Sequence, residues 1–216
     1  MTWLTYIFPR IILKTSSPYN RDIRVLEEVG RYKLLVNGSR QSGSYIAMLW
    51  RKTFQKFDIA GLPVSRILVL GVGGGSVFGL LQRLFPHAAV TGVDIDPMIL
   101  AIARKYFKFS HMPHVRLVQA DAQKFVQRKK RHDLIIVDLF IGSHIPSFVT
   151  SDGFLIDLKR LLARDGRIVF NYLRELEYQK KSEQFFVKLR KIFAQVDEFR
   201  IERNRFFFAS LQPKKV

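Results

Sequence analysis

The chain has 216 residues, of which 48% are hydrophobic and 25% are charged, so it is long enough for one domain with an extension and for a large apolar core. It contains no cysteine, which excludes a disulfide framework, thiolate-bound zinc, thiolate catalysis and an iron–sulfur cluster. Lysine and arginine number 36 against 18 aspartates and glutamates, and this net charge of +18 favours anionic partners but indicates no fold.

The positive charge is spread along the whole chain. It amounts to +6 over residues 1–60, +3 over 61–121, +4 over 122–171 and +5 over 172–216. A basic tail is therefore excluded. The basic run at 128–131 is typical of the solvated C-terminal end of a helix, where the helix dipole favours cations.

The apolar stretch at the start, Met1 to Leu13, does not predict a membrane segment. Pro9 and Arg10 interrupt it, and it is shorter than the about 20 residues that a membrane-spanning helix needs. It also lacks a basic first region and a small-residue cleavage site, so we predict no signal peptide. We expect a cytoplasmic protein without a membrane partner.

The front of the chain has the pattern of a small β element. Residues 23–36 alternate hydrophobic and polar side chains around Gly30-Arg31, which predicts a β-hairpin, and the Asn37-Gly38 turn follows. Residues 44–57 are predicted to be helical. We expect residues 1–60 to form an N-terminal β section with a connecting helix, and residues 61–216 to form the main domain.

The main domain contains short, continuously apolar runs separated by helical segments, a pattern typical of parallel strands buried on both faces. Two further strands then follow each other directly, which predicts a terminal antiparallel hairpin. The expected fold class is α/β, with a seven-stranded, mostly parallel, doubly wound sheet. The predicted strands are 66–70, 89–93, 115–118, 134–137, 167–170, 196–200 and 205–211, and the predicted helices are about 76–85, 97–107, 122–130, 152–163 and 175–193.

A glycine-rich loop follows the first of these strands. Gly71, Gly73, Gly74 and Gly75 occupy four of five positions before a helix, where glycine permits a tight turn and the close approach of a ligand to free helix amides. Ser76 stands where a dinucleotide-binding fingerprint has its third glycine, and no Gly-Lys-Ser/Thr follows. The loop predicts a nucleotide-like ligand and is not a Walker loop.

The next three strands each end on an acid. Asp94 is placed to accept hydrogen bonds from both hydroxyls of a ribose, whereas Asp96 before Pro97 is predicted to cap a helix. Asp121 is predicted to recognise an adenine amino group, with helix capping as the alternative. Asp138 faces the crevice in which open α/β sheets bind ligands, and it is predicted to act as a general base or to hold a cationic group, with a loop-capping role as the alternative.

These four strand ends together resemble the successive motifs of class I S-adenosylmethionine-dependent methyltransferases, and more closely those of the spermidine synthase (polyamine aminopropyltransferase) family. The segment 36–41 resembles the end of that family's N-terminal β domain. The resemblance implies a Rossmann-like transferase that binds S-adenosylmethionine or decarboxylated S-adenosylmethionine. It implies Asp138 as the catalytic residue, and cofactor contacts from Gln41, Gly71, Gly73, Gly75, Asp94, Ile95, Asp121 and Ala122.

Two positions depart from the family pattern. Gly74 stands where the family has an aspartate that binds the amine of decarboxylated S-adenosylmethionine, and Ile141 stands where it has a second aspartate that binds the amine acceptor. Both losses argue against polyamine synthesis and leave open whether an aminopropyl or a methyl group is transferred. The basic overall charge and the apolar residues Phe140, Ile141, Ile145 and Phe148 favour an aromatic or hydrophobic small-molecule acceptor.

The remaining expectations concern metals and partners. The five histidines have no metal-binding spacing, so we predict no metal, and His144 is expected to face solvent, with proton transfer as the alternative. The family often dimerises, which makes the N-terminal β section a candidate homodimer interface. The alternative function is a non-catalytic, basic, nucleic-acid-associated module with a vestigial nucleoside pocket.

Overall fold

The computed structural model describes residues 9–213, which form two β-sheets. The first sheet is antiparallel, with its strands in chain order: β1 (Arg10–Thr15), β2 (Ile23–Glu28), β3 (Arg31–Val36) and β4 (Ser39–Arg40). The hairpin predicted over 23–36 is confirmed as β2 and β3, and β1 and β4 extend it to four strands. Residues 1–8 of the apolar stretch lie outside the described residues.

The second sheet has the predicted seven strands. They are β5 (Arg66–Leu70), β6 (Ala89–Asp94), β7 (Val115–Gln119), β8 (His132–Val137), β9 (Leu162–Leu173), β10 (Gln195–Ile201) and β11 (Asn204–Ser210). The order across the sheet is β10-β11-β9-β8-β5-β6-β7. β11 runs antiparallel to both β9 and β10, and the other neighbours are parallel, so the terminal hairpin is also confirmed.

The strand order decides where a ligand can bind. The chain moves outward from β5 to β6 and β7, and then returns to the other side of β5 with β8. Successive connections therefore diverge from the carboxyl ends of β5 and β8, and open α/β sheets bind ligands in the crevice at such a switch point. The glycine loop follows β5 and Asp138 follows β8, so both lie at this crevice.

Helices cover both faces of the second sheet. They are α1 (Ser44–Lys56), α2 (Ser76–Leu84), α3 (Pro97–Tyr106), α4 (Ala122–Phe125), α5 (Asp152–Leu161) and α6 (Tyr178–Ile192). Alternate residues of the parallel strands enter two different apolar clusters, one packed with α1, α2 and α3 and the other with α4, α5 and α6. A third cluster joins the first sheet to α3 through Ile99 and Ile102. The central strands β5 and β8 are thus buried on both faces, which explains their continuous apolar runs.

Two details differ from the expectations. The predicted helix at 122–130 is wrong in length, because α4 ends at Phe125. The basic run 128–131 therefore follows a turn and does not end a helix, and the Arg128 guanidinium lies over the Phe125 ring at 4.3 Å. The strand β11 lies in the core between β9 and β10, so β10 forms this edge of the sheet. No helix in the described part of the chain has the length and apolar character needed to cross a bilayer.

Candidate functional site

The glycine loop and Asp138 are in direct contact at the switch point. The backbone N–H of Asp138 donates to the Leu70 carbonyl over 2.8 Å, at the ends of two paired strands. Gly71 has a φ of 92°, and a Cβ at this position would overlap the carbonyl oxygen of Asp138. Only glycine therefore lets the chain leave β5 so close to the end of β8.

A cleft lies over the carboxyl ends of β5, β6, β7 and β8, and we call it the first cleft. It brings together all but one of the residues predicted to bind a cofactor: Gln41, Gly71, Gly73, Asp94, Ile95, Asp121 and Ala122. The exception is Gly75, which precedes α2 with a φ of 73° and has the ring of Phe109 where a Cβ would lie. The structure gives Gly75 a role in the turn and not in the lining of the cleft.

Asp94 is held in place by the glycine loop. Its Oδ2 accepts a hydrogen bond from the Val72 N–H and its Oδ1 accepts one from the Asp96 N–H, each over 3.0 Å. Burial raises the pKa of Asp94, and these backbone donors and the Gly73 N–H act in the opposite direction. Each carboxylate oxygen has a second lone pair. The fixed carboxylate is therefore equipped to accept further hydrogen bonds from a pair of hydroxyls.

Two other aspartates of the cleft cap helices. Asp121 accepts a hydrogen bond from the Gln123 N–H over 2.8 Å, so the capping alternative applies to it while it also lines the cleft. The predicted cap by Asp96 is confirmed, because this carboxylate accepts from the Met98 N–H over 2.8 Å. Asp96 also accepts from Asn20 Nδ2, again over 2.8 Å, and so ties the first sheet to the cleft.

The first cleft is acidic although the protein is basic. Asp94, Asp96, Asp121 and Asp138 line it, and no lysine, arginine or histidine does so among the described residues. The basic residues that give the protein its net charge of +18 therefore lie outside this lining, as far as the described residues show. Carboxylates without cationic neighbours favour a ligand that carries positive charge.

A second cleft meets the first at Asp138. The two share Gln41, Ile46, Asp138 and Phe140. The second cleft has a more polar lining than the first. At its rim, Glu175 forms an ion pair with Arg203 over 2.6 Å. Its other polar and charged lining residues are Ser39, Arg40, Tyr45, Ser143, His144, Asn171, Glu177, Tyr178 and Asn204. A molecule in each cleft would be adjacent to the same carboxylate.

Asp138 has the environment of a general base at this junction. Burial raises its pKa to about 6, against the action of the Asn171 amide and the Trp50 indole, which favour the charged form. Asn171 Nδ2 donates to Asp138 Oδ1 over 2.8 Å, whereas the Trp50 N–H has no hydrogen bond of ordinary geometry among the described residues. A base with a pKa near 6 is largely ionised at neutral pH and still takes up a proton readily.

The loop after Asp138 closes over the first cleft. Gln41 Nε2 donates to the Gly142 carbonyl over 2.9 Å, and the Ile145 N–H donates to the Tyr178 hydroxyl over 2.9 Å. Phe140, Ile141 and Phe148 line the first cleft, and of these Phe140 alone reaches the second. His144 is exposed, as expected, and lies at the rim of the second cleft. No group of three or more metal-ligating side chains occurs within residues 9–213.

Comparisons with known proteins agree with this arrangement. Residues 67–166 match a family model described as a methyltransferase domain. The polyamine aminopropyltransferase of Vibrio vulnificus is 34% identical over 126 residues, which cover 55% of this chain and 42% of the relative. That of Chromobacterium violaceum is 32% identical over 131 residues, which cover 60% and 49%. The chain thus spans less than half the length of these two relatives.

The solved structures give the same fold. A probable spermidine synthase from Corynebacterium glutamicum superposes with a TM-score of 0.81 at 19% identity, over 95% of this chain and 82% of that one. The chain therefore has the class I methyltransferase fold, and its sequence is similar to those of polyamine aminopropyltransferases. Human methyltransferase-like protein 13, solved in complex with SAH, has a TM-score of 0.62 at 24% identity, over 79% and 81% of the two chains.

A more distant relative belongs to the methyltransferases. The eEF1A lysine and N-terminal methyltransferase homolog of Drosophila pseudoobscura pseudoobscura is 27% identical over 149 residues, which cover 64% of this chain and 22% of the relative. The chain is therefore similar in sequence to proteins named for two different transferred groups.

At position 74 of the glycine loop, the segment after β4 occupies the space that a side chain would need. A Cβ at Gly74 would overlap the Cβ and Oγ of Ser42 and lie 3.1 Å from Phe107 Cζ. Ser42 is 1% exposed, and its Oγ accepts a hydrogen bond from the Leu34 N–H over 2.8 Å. Ser42 is thus fixed in the space that any side chain at position 74 would need.

Sequence reasoning missed several residues of the candidate site. Asn171 follows the predicted strand 167–170 directly, so the strand-end rule that selected Asp138 would also have found it. Trp50 lies within a predicted helix, and Ser42, Glu175 and Asn204 lie in or beside turns. No pattern in the sequence marks these four, because they reach the site only through the packing of distant segments.

Proposed function

We propose that this protein transfers an alkyl group from an S-adenosylmethionine-type sulfonium cofactor, bound in the first cleft, to a nucleophile bound in the second cleft. The observation that carries the proposal is the junction of the two clefts at Asp138. Asp94 would hold the ribose, Asp121 and Ala122 would lie at the adenine, and the acidic lining would favour the positive sulfonium.

In this proposal the protein orients the two reactants and takes up a proton. The nucleophile would attack the alkyl carbon in line with the breaking carbon–sulfur bond, and the bond electrons would leave with the now neutral thioether sulfur. Asp138 would accept the proton that the nucleophile loses. At pH 7 a carboxyl with a pKa of about 6 is ionised in roughly nine molecules of ten, so the base is in its active form.

We propose methyl transfer from S-adenosylmethionine as the reaction. The packing of Ser42 against Gly74 leaves no room for the carboxylate that aminopropyltransferases carry at this position. Ile141 stands at the position of the second family aspartate and is 55% exposed. The chain therefore lacks both acids with which the family grips the amines of its substrates.

Aminopropyl transfer is the second candidate, and the acidic lining of the first cleft favours it. Decarboxylated S-adenosylmethionine carries an ammonium group in addition to the sulfonium and no carboxylate. Four aspartates without a cationic neighbour in the described lining suit such a dication.

Calorimetric titration with S-adenosylmethionine, its decarboxylated form and methylthioadenosine tests the proposed cofactor class. We expect heat of binding from the sulfonium compounds, with S-adenosylmethionine the tighter of the two. Heat from a nicotinamide dinucleotide alone would refute the proposed function. Tighter binding of the decarboxylated form, together with spermidine formed from putrescine, would establish the second candidate in place of methyl transfer.

A basic surface supports a nucleic-acid-associated role as the alternative function. Arg128, Lys129, Arg131 and Arg160 border one shallow depression, in which the acid is Asp157. Binding through such a surface depends on phosphate contacts and falls steeply with salt concentration. A filter-binding series with RNA and DNA fragments from 20 to 200 mM salt tests it, and absence of retention at the lowest salt would exclude this role.

A further inference from the structure

A chain of buried side-chain amides reaches Asp138 from the terminal hairpin. Asn204 Nδ2 on β11 donates to Asn171 Oδ1 over 2.7 Å, and Asn171 Nδ2 at the end of β9 donates to Asp138 Oδ1 over 2.8 Å. Both asparagines are 9% exposed. We infer that Asn171 and Asn204 are positioning residues that hold the Asp138 carboxylate at the junction of the two clefts, an inference that rests on the proposed function.

The register of the sheet explains why these three side chains meet. Val137 pairs with Phe170 in the parallel ladder of β8 and β9, so the next residues, Asp138 and Asn171, leave that ladder side by side. In the antiparallel ladder of β9 and β11, Asn204 pairs with Leu173, two residues beyond Asn171. Residues two apart on a strand share a face, so Asn204 and Asn171 are diagonal neighbours on the same side of the sheet.

The outer asparagine determines which end of the inner amide faces the carboxylate. An asparagine side chain can present either two N–H donors or a carbonyl oxygen. Because the oxygen of Asn171 accepts from Asn204, its nitrogen is directed to Asp138. Without Asn204 the Asn171 amide can turn over and place its oxygen against the carboxylate, which is repulsive. The two asparagines therefore act in series.

The geometry leaves one carboxylate oxygen for the reaction. Asn171 engages Oδ1 of Asp138, whereas Oδ2 accepts no hydrogen bond of ordinary geometry among the described residues, so we assign proton uptake from the nucleophile to Oδ2. Asn171 and Asn204 both line that cleft, at its border with Asp138. A fixed Oδ1 restricts rotation of the carboxylate and keeps Oδ2 directed toward one place.

The test measures the ionisation of Asp138 directly. Protein with ¹³C-labelled aspartate carboxyls is titrated from pH 3.5 to 8 by NMR without cofactor, and the Asp138 resonance is assigned with the Asp138→Asn variant. A hydrogen bond to a charged group favours the charged form, so its loss raises the pKa. We expect Asn171→Leu to raise the Asp138 midpoint by about one pH unit, and Asn204→Ala to raise it by a smaller, resolved amount.

A matched control separates positioning from general loss of packing. Thr53 is fully buried on α1 and donates to the Leu49 carbonyl over 2.9 Å. Thr53→Val should lower stability and leave the Asp138 midpoint unchanged. If Asn171→Leu does not give a dispersed NMR spectrum, Asn171→Ser replaces it. Once a turnover assay exists, the midpoint of kcat against pH should move in the same order as the NMR midpoints.

The outcomes are distinct from those that test the cofactor. An unchanged midpoint in Asn204→Ala, with a raised one at position 171, would overturn the role of Asn204. Unchanged midpoints in both variants would overturn the inference as a whole. Raised midpoints in a protein that binds no sulfonium compound would refute the proposed function and leave the amide chain established.

Discussion

Replacement of Asp138 by asparagine should abolish transfer and at the same time stabilise the fold. Burial raises the pKa of this carboxyl from 3.8 to about 6, which means that the folded protein disfavours its charge. At about 1.4 kcal/mol per pKa unit, holding the charged form at neutral pH costs the fold about 3 kcal/mol. Asparagine is uncharged, and its Oδ1 can still accept the hydrogen bond from Asn171.

The pH dependence gives this prediction its specific form. A group whose pKa is higher in the folded state binds more protons there, so its effect on the free energy of unfolding changes between the two pKa values. We expect the Asp138→Asn variant and the wild type to be about equally stable near pH 3.5. The free energy of unfolding of the variant should rise relative to that of the wild type between pH 4 and pH 6. At pH 7.5 the variant should be about 3 kcal/mol more stable than the wild type.

Urea unfolding of both proteins across this pH range measures the difference, in which the other titrating groups cancel. Asp133 provides a control of opposite sign, because hydrogen bonds from Ser65 and the Arg66 N–H outweigh the effect of burial and lower its pKa. Asp133→Asn should therefore lose stability at neutral pH. If Asp138→Asn raised the free energy of unfolding by the same amount at every pH, or lowered it at pH 7.5, the burial argument would be refuted.

Three further outcomes follow from the site and the core. Asp94→Asn should weaken S-adenosylmethionine binding about 10- to 100-fold, because charge-assisted hydrogen bonds to the ribose are lost. Unchanged affinity in calorimetry would show that Asp94 is not part of the site. Burial, aided by the nearby Arg66, lowers the pKa of His132 to about 4. The contribution of His132 to the free energy of unfolding should therefore be lost between pH 6.5 and pH 4, so the stability of His132→Gln relative to the wild type should rise as the pH falls over this range in urea titrations. Gly74→Asp alone should destabilise the fold through overlap with Ser42. The double variant Gly74→Asp with Ser42→Gly should bind the decarboxylated cofactor roughly tenfold more tightly relative to S-adenosylmethionine. If Gly74→Asp alone were as stable as the wild type, the close packing at this position would be contradicted.

Local sequence patterns were sufficient to predict a strand wherever all its residues share one environment. Runs such as 66–70 and 134–137 are apolar throughout because both faces are buried, and they match β5 and β8 closely. The predicted helix at 122–130 extends beyond α4 because its polar second half has no apolar face to pack, and the chain turns after Phe125. The strand β9 is longer than predicted because Leu162 pairs with His132 ahead of a register shift, and the residues between Leu162 and Arg167 carry no apolar pattern that marks a strand.

The fold class, the glycine loop and the acids at three strand ends could be predicted from local sequence, because each depends on residues that are neighbours in the chain. The surroundings of Asp138 depend on tertiary packing. Asn171 donates to its carboxylate, Asn204 in turn donates to Asn171, and the Trp50 indole lies near it; these residues come from a strand, the terminal hairpin and a helix, and only packing brings them together. The same holds for the charge. A protein of net charge +18 has an acidic cleft because the ends of parallel strands converge there, while the basic side chains lie elsewhere on the molecule.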